Sequence, residues 1–366
     1  MKKEIISSKQ AVMMILMFMI GSTLVIGGSS TAKQDAGIAI FLSVCMAFPI
    51  FFIYARLLQL FPNKNLFDII EQVFGKFIGK IMIVLFSWYF FHLGALVLRN
   101  ITEFVQIVSF PETPQFFVAF CIGILLIYMI YSGLEVLGRF IEFILPIILV
   151  VIISTIAISL GKSNVTNLKP MLYNGWQPIL KTSFLLLTFP FAETIIFTTI
   201  FDSLPAKTNP YKIYFLSLLM GGFLLLVIAL RNILVLGTSN IFNHYFPTYS
   251  AVLVISIGKF LERIEIIVSI VFILSSFVKT NLCLLGASIG FSKIFHFDDY
   301  RQITAPLCFL MLMLSFILYH SVMEIFEWLE IYPYYAIFFQ VILPVLLLIV
   351  AEIKTRLSMT KKGSPS

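Results

Sequence analysis

Two charged side chains in this chain stand where charge is expensive. Glu193 falls in the run L-T-F-P-F-A-E-T at 187–194, and Lys279 in S-S-F-V-K-T-N at 275–281, both deep inside apolar stretches. A lone charge in hydrocarbon costs on the order of 3 kcal/mol or more unless it is paired or hydrated. Two readings follow: a mutual structural ion pair, or two groups in or beside a ligand cavity. Lys279 also belongs to a polar stripe that runs from Ser275 to Asn281. Two further features look like interruptions of helix. Gly21-Ser22-Thr23 interrupts M-F-M-I-G-S-T-L-V-I at 17–26, and Pro190 interrupts the run that carries Glu193, with Phe189, Phe191 and Ala192 around it. Proline removes an N–H donor and clashes with the preceding turn, while Gly and small hydroxyl residues weaken a helix. The backbone groups so freed are tolerated at membrane depth only beside protein or a polar cavity. Each break taken singly also fits an ordinary kink or a small-residue packing face. His92, close to Trp88 and Tyr89, reads first as a hydrogen-bonding group of the bundle and stays a candidate ligand residue. Arg99, Glu142, Arg231 and His320 lie nearer the ends of apolar runs and read as interfacial.

Nothing in the chain resembles a reaction centre. HExxH, GxSxG and Walker patterns are missing, and no two carboxylates share a face within an apolar run. Cys45, Cys121, Cys283 and Cys308 are far apart, without metal-ligand spacing. The chain is therefore expected to be no enzyme and to need no cofactor or metal.

The elements that position these residues must be membrane spans. Hydrophobic residues make up 60% of the sequence and charged residues 12%, with a mean hydropathy of +1.02, which a soluble domain could not bury. Runs long enough to cross a bilayer fall near 10–29, 36–58, 81–104, 116–132, 140–160, 180–201, 212–236, 264–291, 303–321 and 334–353. Ten spans put both tails on one side. That side carries 16 Lys and Arg against 8 opposite, with Lys279 inside a span, so both termini are expected in the cytoplasm. The net charge of +7 arises from loops and tails without a basic face, so no nucleic-acid partner is expected. No small-residue cleavage site follows the first apolar run, which is read as a retained span. Tyr332-Pro333-Tyr334-Tyr335 reads as an interfacial aromatic belt before the tenth span.

Two stretches between spans are shorter. At 66–78, Leu66, Ile69, Ile70, Val73, Phe74, Phe77 and Ile78 recur at helical spacing opposite Asp68, Glu71, Gln72 and Lys76, which describes a helix lying in the membrane surface. The second covers 248–263, and the two share an echo, Gly75-Lys76-Phe77 and Gly258-Lys259-Phe260. Each lies between the second and third span of a set of five. Five is odd, so the second set is inverted relative to the first, and the two helix breaks occupy matching first spans, which marks a binding site of the secondary-transporter kind. The chain is thus expected to be one transmembrane domain over 1–366. Its repeats lie near 10–160 and 180–321, and span 334–353 completes the fold.

I-S-S-K-Q before span 1, the I-G-S break, L-F-D-I-I-E-Q-V-F-G-K-F-I-G, F-A-E in span 6 and I-G-K-F-L-E-R-I-E before span 8 resemble the B subunits of spore nutrient-germinant receptors. These belong to the amino acid–polyamine–organocation superfamily. The resemblance covers nearly the whole chain. It implies an all-α, LeuT-type five-plus-five fold in the spore inner membrane, a small nutrient ligand such as an amino acid or sugar, and assembly with an A-type membrane subunit and a C-type lipoprotein. It implies a ligand between spans 1, 3, 6 and 8. A carboxylate would then meet backbone N–H groups around Ser22 and Thr23, and an ammonium the freed carbonyls from Phe189 to Ala192, with Glu193 tuning the charge. Lys279 departs from ion-coupled relatives of the fold, because its fixed ammonium can stand where a sodium ion binds. An amino acid permease built on the same site is the alternative function.

Overall fold

The computed structural model describes residues 4–21, 30–238, 241, 244–254 and 264–362. Every regular element among them is helical. The chain runs through α1 (Ser8–Ile20), α2 (Ala36–Leu60), α3 (Leu66–Val108), α4 (Gln115–Ser132), α5 (Leu134–Ser159) and α6 (Trp176–Leu186). It continues through α7 (Pro210–Leu236), α8 (Pro247–Leu253), α9 (Ile264–Phe295), α10 (Arg301–Leu318), α11 (Val322–Ile337) and α12 (Leu343–Lys362). A wide turn, Leu187–Phe191, and a tight helix, Ala192–Thr199, extend α6; a second wide turn, Phe338–Ile342, joins α11 to α12.

Nine helical stretches among the described residues are long and apolar enough to cross a bilayer. The first of the ten expected spans is described only as far as Gly21, where α1 stops; its outer part, with Ser22 and Thr23, lies outside the described residues. The tenth begins earlier than its hydropathy indicates, because α11 starts at Val322 and the stretch Met323–Leu357 is continuous. Phe41, Phe143 and Phe223 are each at least two-thirds exposed on the outside of the bundle, a surface that suits lipid and not water.

Local chemistry explains several boundaries. The Ser7 hydroxyl accepts from the Gln10 amide at 3.1 Å and Gln10 Oε1 accepts from the Ser7 amide at 2.9 Å, a capping box that starts α1. Asn209 caps α7 with Pro210 in its first turn. At Gly75 the backbone of α3 turns to φ 76° and ψ −175°, a region open to glycine. The bend breaks the expected surface helix: Leu66, Phe67, Ile69, Ile70 and Val73 are buried, but Phe77 and Ile78 beyond the bend point outward. Of the expected second surface helix only Pro247–Leu253 forms among the described residues, and Gly258-Lys259-Phe260 lies outside them.

The most extensive packing is α3 against α9 and α2 against α7; α1 lies on α7 and α5 and also meets the broken stretch after α6, and α10 packs on both α3 and α4. Gly221 and Gly222 permit the first helices to close on α7, since a Cβ there would come within 2.5 Å of Met19 Sδ or Val44 Cγ2. One end of the bundle gathers the chain's start with the starts of α5 and α10: Leu134 N donates to Glu4 at 2.8 Å, and Arg301 pairs with the same carboxylate. The last helix is tied to α2 at that end by Arg56 and Glu352 at 2.6 Å. The other end gathers 30–35 with the segment before α6, where Gln34 Nε2 donates to Pro170 O at 2.8 Å.

Candidate functional site at the two helix breaks

The Leu187–Phe191 turn leaves helical geometry at Phe189 (φ −141°, ψ 101°), immediately before Pro190, and so turns Glu193 into the middle of the bundle. Lys279 comes from the centre of α9. Its Nζ lies 2.5 Å from Glu193 Oε2, and both side chains are wholly buried. The ammonium also sits over two aromatic faces, 4.8 Å from the Phe18 ring and 4.6 Å from the Phe189 ring. Each face adds attraction of about 0.5–2 kcal/mol. The end of α1 closes the site from the other side. A Cβ on Gly21 would lie 3.2 Å from Lys279 Cδ and 3.1 Å from Phe18 O, so the first break lets α1 end directly against the lysine stem.

The second oxygen of Glu193 is held by a residue that the sequence does not mark as part of a site. Tyr332 donates its hydroxyl to Glu193 Oε1 at 2.5 Å. Tyr89 stands 3.1 Å behind it, and Gln340 Nε2 donates to Tyr89 at 2.6 Å and to Thr188 O at 2.8 Å. Hydrogen bonds therefore point in one direction, from Gln340 through Tyr89 and Tyr332 to the carboxylate. The carbonyls freed by the second break are largely taken up by side chains. The Tyr54 hydroxyl lies 2.9 Å from Ala192 O, sharing its one hydrogen with Gln340 O of the second wide turn at 2.6 Å, and Thr194 donates to Phe191 O at 2.7 Å. Tyr332 is thus no interfacial belt residue. It is buried at the centre of the network, and the helix that carries it begins ten residues earlier. A signal for this is present in the sequence, because Ile325, Leu329, Tyr332, Ala336 and Phe339 recur at helical spacing through the stretch that Glu324, Glu327 and Glu330 make look polar.

The structure brings together Gly21, Phe189, Pro190, Phe191, Ala192, Glu193 and Lys279. Ser22 and Thr23 lie outside the described residues. Asn281 turns away, its Nδ2 donating to Leu126 O of α4 at 3.2 Å. His92 stacks on Trp88 at 5.8 Å and meets Trp328 and Tyr335 edge-on, with Nδ1 buried and unbonded. Arg99 and Arg231, expected at the interface, are both buried. Arg99 pairs with Glu103 at 3.0 Å, whereas Arg231 Nε and Nη1 have no partner among the described residues. Glu142 keeps a surface position and binds Lys9 at 2.8 Å.

A narrow cleft leads to Glu193 between α3, the Phe189 turn and α11, lined by Leu96, Asn100, Phe189, Tyr319, Trp328 and Tyr332. Its free volume is about 20 Å³, the room of one water. Asn100 Oδ1 and Trp328 Nε1 have no hydrogen-bond partner among the described residues. Among the described residues this cleft offers room for little more than one water beside Glu193.

A helical membrane protein whose first helix ends against a buried ion pair set inside a broken later helix is built like a LeuT-type transporter, and solved structures agree on the fold. Mhp1, a nucleobase-cation-symport-1 family transporter in a closed conformation with bromovinylhydantoin bound, superposes with a TM-score of 0.65 at 12% identity, covering 90% of this chain and 75% of its own. MhsT in complex with L-phenylalanine gives 0.67 at 12% identity, covering 96% and 89%. The family follows from sequence: residues 5–323 match the model for the family described as spore germination protein, and the chain belongs to it. Spore germination protein KB of Bacillus subtilis (strain 168) is 29% identical over 99% of both chains. Spore germination protein A2 of the same strain is 27% identical over 67% of this chain and 68% of its own.

Proposed function

We propose that this chain is the ligand-binding membrane subunit of a spore nutrient receptor, taking an amino acid or a sugar at mid-depth where the two helix breaks meet. The observation that carries the reading is the Lys279–Glu193 pair. A buried ion pair adds little to stability on its own, since well-packed apolar residues do as well or better. Its place, against the end of α1 and inside the second break, is where a LeuT-type fold presents backbone to ligand. Gly21, Phe189 to Glu193 and Lys279 form the floor of the site in this reading, with His92 and the α11 aromatics along the approach. Ser22 and Thr23 are further candidate ligand groups of this reading, while Asn281, bonded to Leu126 O, is not among them. Lys279 supplies a fixed cation, so binding needs no sodium.

The same reading takes the chain as one domain of ten spans in two inverted repeats. The pairing of α2 with α7, α3 with α9 and α4 with α10 supports it, since these are matching members of the two sets. Both termini face the cytoplasm, the membrane is the spore inner membrane, and the chain assembles with an A-type membrane subunit and a C-type lipoprotein. It binds and signals and performs no covalent chemistry. Ligand reaches the site when Tyr332 leaves Glu193 and α11 moves from the Phe189 turn.

The test replaces Gly21 with Leu in spores that carry the assembled receptor. The larger side chain overlaps Lys279 and Phe18, so nutrient response should vanish while protein level is kept, and Pro190→Ala should weaken the response. Normal sensitivity in assembled Gly21→Leu protein, or wild-type binding that rises steeply with sodium, refutes the site. Ligand-dependent uptake by proteoliposomes of the purified chain would favour the permease alternative.

A further inference from the structure

A second concavity, far larger than the cleft at Glu193, opens sideways between α1, α5 and α7. It has a volume of about 500 Å³ and is walled by Val12, Met13, Leu16, Leu145, Leu149 and Met220. At the end of the bundle that gathers the chain's start, its mouth is polar, formed by Ser8, Lys9, Asn209 and Lys212. From Ser8 to Leu16, and from Lys212 to Met220, the walls run eight residues, about 12 Å at the helical rise. That is close to the depth of one leaflet, roughly 15 Å.

From this geometry we infer an anionic phospholipid site, with one acyl chain in the groove and the headgroup phosphate at Lys9 and Lys212. The charges at the mouth argue for it. Lys9 is matched by Glu142 at 2.8 Å, and Gln10 satisfies the other oxygen of that carboxylate at 3.2 Å. Lys212 has no ion-pair partner among the described residues, so the mouth keeps a positive charge. Both lysines stand in the first turn of their helices, and neither α1 nor α7 has an acidic residue there. The helix macrodipole disfavours a cation at that position, and an anion bridging the two first turns removes the conflict. The apolar wall and the basic rim together match the two ends of one lipid. The neighbouring Lys207 lines a different, polar hollow and takes no part. Because α1 ends at Gly21 against Lys279, a chain in this groove also braces the half-helix that closes the candidate ligand site. The lipid site does not depend on which nutrient, if any, binds there.

The full chain, purified in a neutral detergent, should be titrated with phosphatidylglycerol and with phosphatidylcholine of the same acyl chains, and bound lipid counted by native mass spectrometry. Phosphatidylglycerol should bind several-fold more tightly. Lys212→Gln should cut that preference about fivefold, the equivalent of about 1 kcal/mol per basic residue at a membrane surface. Lys207→Gln should leave it unchanged. Met220→Trp, which fills the groove, should reduce retention of both lipids. Equal binding of the two headgroups overturns the proposal, as does equal loss in the Lys207 and Lys212 variants. Full competition by millimolar inorganic phosphate also overturns it, because the acyl chain would then contribute nothing. The Lys212 side chain is exposed, so that variant folds and decides the matter even if Met220→Trp does not fold.

Discussion

Replacing Lys279 with Met keeps length and packing and removes only the charge. Glu193 is then buried with Tyr332 as its one donor among the described residues. Breaking a buried pair from one side costs about 3–5 kcal/mol, and the Tyr332 bond offsets none of this because it already exists. Glu193→Gln should cost less. The stranded ammonium keeps the Phe18 and Phe189 faces at 4.8 and 4.6 Å, together about 1–4 kcal/mol of attraction, and the Gln oxygen can still accept from it. The double variant leaves neither charge and should recover most of the loss. Thermal unfolding can be followed with a thiol-reactive dye, because Cys283 and Cys308 are buried and become accessible on unfolding, while the exposed Cys45 and Cys121 are first changed to Ala. The expected order of midpoints is wild type, double variant, Glu193→Gln, Lys279→Met, with the last lowered by roughly 5–10 °C. A Lys279→Met protein as stable as wild type refutes the buried pair. A double variant less stable than Lys279→Met refutes the reasoning that the stranded carboxylate is the cost.

Two predictions concern the surroundings. Tyr332→Phe removes the hydroxyl on Glu193 but not the ion pair; it should lower stability by about 1.5–3 kcal/mol and shift the nutrient dose response to lower concentration, since α11 is then held less firmly. Gly290→Ala would put a Cβ 2.0 Å from Ser87 Oγ and 2.7 Å from the Phe67 ring, an overpacking worth about 1–3 kcal/mol. Gly94→Ala meets only the flexible end of Met311 at 2.6 Å and Cys283 Cβ at 3.1 Å, so its midpoint should fall less.

The sequence makes the charged centre and both helix breaks visible for a common reason: each violates a strong rule of the bilayer, and violations stand out in a chain that is otherwise apolar. Glu193, Lys279 and Pro190 need no partner to be noticed. The network behind them is hidden because tyrosine violates nothing. Tyr89, Tyr332 and Tyr54 are ordinary in an apolar helix, and only packing shows that their hydroxyls converge on one carboxylate and the freed carbonyls. Mean hydropathy misplaces the start of the tenth span because Glu324, Glu327 and Glu330 lower it locally. In the structure Glu330 reaches Lys181 at 3.2 Å on the exposed side while Tyr332 faces inward. Periodicity is the better guide there.

In the proposed receptor reading, the same energies bear on how binding becomes a signal. Driving a two-state element from 1:99 to 99:1 takes about 5.5 kcal/mol of differential binding. A ligand that touched only the floor of the site equally in both states would supply none of it, however tightly it bound. The interactions that hold the site shut are of the right size. They are the Tyr332 hydrogen bond to a buried carboxylate, about 1.5–3 kcal/mol, and the packing of α11 around it. A nutrient whose own donor replaces Tyr332 on Glu193, and whose polar groups satisfy Asn100 and Trp328 on the approach, recovers in the open state what is given up in leaving the closed one. The coupling then passes through α11, which continues through the Phe338–Ile342 turn into α12. Gln340, inside that turn, is bonded to both Tyr89 and Thr188. In that reading, movement of Tyr332 is carried along α11 into α12 without any change in the Lys279–Glu193 pair.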